Sequence, residues 1–178
     1  MKILPREEGK KVIKYFGNGV FFNNLKTIIT DDSSDQNFKE NTKSFFSASF
    51  IWKTEEEYSN AEFICYQEVE NNKKLFNKFL IEEEKHLKFY ESLLYTGDVY
   101  FLAYAPDRVF FKFESFKEFK EICKIITRDE LHMMLVFPEK KIVTRYDWDL
   151  RIQVFYYEET GYNFATNLAK ELGFYVFE

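Results

Sequence analysis

From Asn71 to Tyr95 the apolar residues Phe76, Phe79, Leu80, Leu87, Tyr90 and Leu94 fall near one face of a helix, with Lys and Glu on the other. A helix that long must lay its stripe on a broad apolar surface. The flanking sequence supplies one, because the period changes there from helical to two-fold. Ser44–Trp52 alternates Phe46, Ala48, Phe50 and Trp52 against Ser47, Ser49 and Ile51, and Ala61–Val69 repeats the pattern less cleanly. Val99–Ala105 and Arg108–Phe113, separated by Pro106-Asp107, read as a hairpin. Leu131–Phe137, Ile142–Tyr146 and Leu150–Tyr157 read as a three-stranded meander, joined by Pro138-Glu139-Lys140 and by Asp147-Trp148-Asp149.

Two further helices are expected. Ser115-Phe116-Lys117-Glu118 has capping-box spacing ahead of Phe119, Ile122, Cys123 and Ile126, and Asn163–Leu172 closes on Gly173 before a final strand over 174–177. Near the start, Gly17-Asn18-Gly19 between Lys11–Phe16 and Val20–Asn23 predicts a hairpin, with a helix over Lys10–Phe16 as the alternative. Residues 31–43, rich in Asp, Ser, Asn and Gln, read as the longest loop and a mobile one. The sum is a single α+β domain over 1–178: a mainly antiparallel sheet with about three helices packed on one face.

Thirty-six of the 178 residues are aromatic, against two His, two Cys and six Gly. Phe and Tyr favour strands and fill the space between helix and sheet, so most of them are expected in the core. Equipment for chemistry is sparse. Gly-x-Ser-x-Gly, Gly-x-x-x-x-Gly-Lys, Gly-x-Gly-x-x-Gly and Cys-x-x-Cys are absent. Cys65 and Cys123 sit in apolar segments and read as buried thiols. Glu83 and His86 have the Glu-x-x-His spacing of carboxylate-bridged metal sites, echoed by Asp129 and His132, but lack inward-facing partners. His86 is expected partly exposed, and no metal or cofactor is expected. The acidic runs Glu55–Glu57 and Glu82–Glu84 read as solvated surface.

No run approaches the roughly 18–20 apolar residues that span a bilayer, and Glu7 and Glu8 fall where a signal peptide would be apolar, so a cytoplasmic protein without membrane contact is expected. The net charge of −5 divides unevenly. Residues 1–54 carry nine Lys/Arg against six Asp/Glu, and residues 55–178 sixteen against twenty-four, that is +3 and −8. Such a balance disfavours nucleic acid and suits a basic protein partner. The candidate contact residues are Asp147, Trp148, Asp149, Tyr156, Tyr157, Glu158 and Glu159, read as one cluster at adjoining ends of neighbouring strands. No catalytic residue is assigned. A carboxylate and histidine enzyme site, metal-dependent or not, and a structural or regulatory subunit are the alternatives. In solution a monomer or weak homodimer is expected.

The stretch Phe137–Tyr157, running Phe-Pro-Glu-Lys-Lys-Ile-Val-Thr-Arg-Tyr-Asp-Trp-Asp-Leu-Arg-Ile-Gln-Val-Phe-Tyr-Tyr and followed by a short helix, resembles the endings of small bacterial immunity proteins that neutralise polymorphic or contact-delivered toxins. The resemblance implies a cytoplasmic protein that binds a toxin domain and covers its active site. It transfers no particular toxin and no inhibitory residue.

Overall fold

The aromatic runs assemble into one antiparallel sheet in the structure, a computed structural model that describes residues 1–17, 19, 21–23, 25, 42–46, 66–103, 108–128, 134–147 and 150–177. Its strands are β1 (Lys2–Ile3), β2 (Thr42–Phe46), β3 (Tyr100–Ala103), β4 (Val109–Lys112), β5 (Met134–Phe137), β6 (Ile142–Asp147), β7 (Arg151–Tyr156) and β8 (Tyr175–Phe177). They lie in the order β1-β4-β3-β5-β6-β7-β2-β8, and neighbouring strands run antiparallel. The β3–β4 hairpin and the β5–β6–β7 meander are as the sequence predicts. Strand β2 begins at Thr42, inside the expected loop; the remainder of that loop, and the predicted strand beyond Phe46, lie outside the described residues.

Five α-helices are described: α1 (Arg6–Lys14), α2 (Tyr66–Val69), α3 (Lys73–Leu94), α4 (Phe116–Thr127) and α5 (Glu159–Glu171). Helix α3 starts where Asn72 accepts from the Leu75 N–H at 3.3 Å. Helix α4 starts at Ser115, whose Oγ accepts from the Glu118 N–H at 3.1 Å, while the Glu118 carboxylate reaches one residue further back and accepts from the Glu114 N–H at 2.9 Å.

Helices cover both faces of the sheet, where the sequence led us to expect one. On the first face Phe101, Leu135, Phe137, Ile142, Ile152 and Val154 meet α3, α4 and α5 through Phe79, Leu87, Tyr90, Phe119, Cys123 and Ala165. On the second, Leu102, Phe110, Met134, Val136, Val143 and Phe155 meet Val12 from the first helix, with Phe16, Phe21, Phe22 and Leu25 beyond it. The reason lies in strand sequence: β5 reads Met-Leu-Val-Phe and all four side chains are buried, so neither face can be left to water.

Two local expectations are corrected. The N-terminal hairpin is the helix α1, with Glu7 and Glu8 in its first turn and Lys11 and Lys14 in its last, each sign suited to the helix dipole. Gly17, at φ 75°, then stops the helix, and residues 21–23 are helical. Tyr66–Val69, read as the end of a strand, is a helical turn. Tyr66 packs edge-on against Phe76 and Phe79, centroids 6.1 and 5.6 Å away, and buried Val69, three residues on, joins the same core, a helical period rather than a two-fold one.

Helix α5 begins four residues before its expected start and runs close to a 3-10 turn at Pro138–Lys140. A Cβ added at Gly161 would overlap the Lys140 carbonyl oxygen and press on Ile142. Alanine normally favours a helix over glycine by roughly 0.5–1 kcal/mol. Here the backbone clash reverses that sign, and Gly161→Ala is expected to destabilise by about 1–3 kcal/mol, as overpacked sites do. Urea unfolding of the two proteins checks it.

Candidate functional site

The β5–β6–β7 register carries Phe137, Ile142 and Tyr156 to the same end of the sheet, where Phe137 pairs with Ile142 and Ile142 with Tyr156. The 3-10 turn closes there on Lys141, at φ 54°, whose N–H donates to the Pro138 carbonyl at 2.9 Å. The Lys141 carbonyl accepts from the Tyr157 N–H at 2.9 Å, and the Lys141 ammonium pairs with the Glu158 carboxylate. Tyr157 is thereby fixed at its backbone, and its ring is seated edge-on against Phe16 and Phe21, 6.3 and 5.9 Å away, with its hydroxyl over Gly17. It remains 40% exposed. Glu158 is the residue before α5, and its carbonyl accepts from the Gly161 N–H at 3.0 Å; Glu159 follows, exposed in the first helical turn. Tyr156 is half-buried, its ring 5.1 Å from that of Tyr162.

Other elements end on this rim. Tyr95, 82% exposed, closes α3, and Glu139, exposed on the 3-10 turn, lays its carboxylate against Gly97. Asp98 accepts from the Tyr100 hydroxyl at 3.1 Å and pairs with Lys112 at 3.3 Å. Burial first, then the negative charges of Asp98 and Glu139, push the Tyr100 hydroxyl well above its ordinary range. Tyr15, exposed at the C-terminal end of α1, is close enough to Tyr100 to contribute to the same shift. Tyr15, Tyr95 with Asp98, and Glu139 were missed in the sequence because they stand in three separate segments, whose ends the fold brings to one side of the sheet.

The predicted cluster divides. The backbone of Asp147 is in register with that of Arg151 at the far end of the β6–β7 hairpin from the Ile142–Tyr156 pair, and Trp148 and Asp149 lie outside the described residues. Strand β7 is six residues long, so its two ends stand roughly 17 Å apart. The sequence reading placed both groups at adjoining strand ends, but an antiparallel strand that enters a turn at one end leaves it at the other. Among the described members of the cluster, Tyr156, Tyr157, Glu158 and Glu159 lie at one end of the strand and Asp147 at the other.

The acidic run on α3 is largely interior. Glu82 and Glu83 are buried and only Glu84 is exposed, in contrast to the solvated surface expected. Glu83 accepts from Arg128 Nε at 2.7 Å and Nη2 at 3.1 Å and from the Thr127 hydroxyl at 3.2 Å. His86, expected partly exposed, is fully buried, with Nδ1 2.7 Å from the Glu82 carbonyl oxygen and Nε2 2.9 Å from that of Leu150. Glu83 and His86 therefore serve separate partners rather than a shared ligand, and no group of three metal-binding side chains occurs among the described residues. His132 lies outside the described residues, as does Cys65. Cys123 is buried and free; burial, and then the charge of Glu91, hold its thiol well above the usual range, a poor nucleophile.

Two clefts flank the rim: one of about 160 Å³ between the 3-10 turn and the start of α5, and one of about 210 Å³ lined by Leu94, Val99, Phe113, Phe116 and Phe119. Both are smaller than the roughly 300–1,000 Å³ of small-molecule sites. No helix among the described residues is long and apolar enough to cross a membrane. Comparison with protein-family models, with curated proteins and with solved structures finds no match.

Proposed function

We propose that this chain is a non-catalytic protein-binding domain of the immunity type, which neutralises a toxin by laying the Tyr157–Glu158–Glu159 end of its sheet over a basic catalytic cleft. The observation that carries the reading is a pinned, exposed aromatic followed by two exposed acids: Tyr157, held by Lys141, Phe16 and Phe21, precedes Glu158 and Glu159. An exposed ring that is already immobile contributes contact area without losing much rotamer freedom on binding. Carboxylates around it accelerate encounter with a cationic surface and orient it. A location in the cytoplasm goes with this reading.

Of the two histidines that the enzyme alternative could use beside its carboxylates, His86 is enclosed with both ring nitrogens facing backbone carbonyls, and His132 lies outside the described residues. That observation weighs toward binding. The test uses the intact chain as bait, followed by an activity assay of the captured protein. A basic enzyme inhibited at one-to-one stoichiometry is the expected result. A captured protein whose activity is unchanged at saturation would contradict inhibition, and a chain that only captures itself would support the structural-subunit alternative.

A further inference from the structure

Leu150, just ahead of β7, is fastened to helix α3 through His86. His86 is wholly buried, its Nδ1 faces the Glu82 carbonyl of its own helix, and its Nε2 faces the Leu150 carbonyl on the turn. Leu150 is itself buried and adopts φ 59°, an uncommon conformation for a side chain of its size. The ring is boxed in by Tyr146, 5.8 Å away from β6, and by Phe174, 4.9 Å away ahead of β8, both edge-on. Two acceptors thus confront an imidazole that carries a single N–H when neutral. Either the helix carbonyl or the turn carbonyl then faces a nitrogen lone pair at under 3 Å.

We propose that His86 is a proton-operated latch: the neutral ring holds the helix or Leu150, and the imidazolium holds both, tying the start of β7 to α3. The titratable and charged groups described around the ring are Glu82 and Lys85 on its own helix, paired at 2.8 Å, and Tyr146 from β6; Phe174 brings no charge. Burial is the largest influence and pushes the His86 imidazole below its ordinary value, while the two carbonyls and the Glu82 charge oppose it. The sign follows. The unfolded chain takes up this proton first, so His86 contributes its full share of stability above roughly pH 6.5 and loses it as pH falls toward the folded-state value. Global stability and local fastening therefore move in opposite directions on acidification.

The chain has two histidines, so the ring signals can be followed in the intact protein by nitrogen-15 NMR from pH 7.5 downward, with His132→Gln assigning them. Expected are one protonated ring nitrogen on His86 at the start and two in acid, with the Leu150 and Arg151 amides shifting at the same midpoint. Those amides should also exchange several-fold more slowly, relative to the global opening rate, once the second proton is on. In His86→Phe the acid-linked shift of the turn amides should vanish. A ring that stays singly protonated until the protein unfolds would overturn the latch. So would turn amides that follow a carboxylate midpoint, or that keep their shift in His86→Phe. The wild-type titration alone is sufficient where that variant fails to fold.

Discussion

Replacing Phe137 with alanine is expected to cost about 3–5 kcal/mol, the range for deleting a fully buried phenylalanine. Phe137 is 1% exposed and ends β5 on the face covered by α3, α4 and α5, directly paired with Ile142. It also precedes Pro138, so the void opens beneath the turn whose Lys141 fixes Tyr157 and Glu158. Since the surrounding helices pack from one side and α5 abuts the turn through Gly161, little can move in to fill the space. In urea the midpoint should fall with the slope unchanged. Tyr95→Ala, at the most exposed of the large apolar side chains described, should move stability by no more than about 0.5 kcal/mol. Equal effects would mean that the described core is misplaced.

Glu83→Ala should be the second large loss, about 3 kcal/mol. Breaking a buried ion pair by removing one partner costs about 3–5 kcal/mol because the other charge is left behind. The lower end applies, since the Arg128 side chain is 28% exposed and can recover water, and Thr127 still donates to the Lys124 carbonyl at 2.9 Å. Arg128 also lies 4.9 Å over the Tyr66 ring, and Gln67 donates to its carbonyl at 3.2 Å, so α2 loosens along with the pair. Thermal unfolding of Glu83→Ala beside Glu84→Ala separates the two neighbours. The exposed Glu84 substitution should be nearly silent.

Helices α3 and α4 were legible in the sequence to within two residues, because each carries an apolar stripe and the Ser115 cap read ahead of α4 is used; the Asn72 cap of α3 emerges in the structure. The meander was legible because Pro138 and the Asp147–Asp149 turn interrupt aromatic runs. What the sequence concealed depends on tertiary contact. Helix α1 was masked by Gly17 and Gly19, which signal a turn whether the preceding segment is strand or helix. Glu82, Glu83 and His86 carry polar side chains into the interior, and partners such as Arg128 and Thr127 for Glu83, Lys85 for Glu82 and the Leu150 carbonyl for His86 become visible in the fold. Of the seven proposed contact residues, Tyr156–Glu159 stay adjacent because they are consecutive, although the Tyr156 ring packs beside Tyr162 of α5 and the Tyr157 ring beside Phe16 and Phe21. Asp147 was joined to them by nearness in sequence, and a six-residue strand is enough to undo that.

The claim that most needs a direct test is that recognition belongs to the Tyr157–Glu159 end of the sheet. Binding of the captured partner should be measured for Glu158→Lys/Glu159→Lys and for Asp147→Lys/Asp149→Lys, each at low and at high salt. At least a tenfold weakening is expected for the first pair, about 1.4 kcal/mol or more, chiefly through slower association that salt conceals, and little change for the second. Normal binding by the first pair together with loss in the second would place recognition on the opposite end and contradict it.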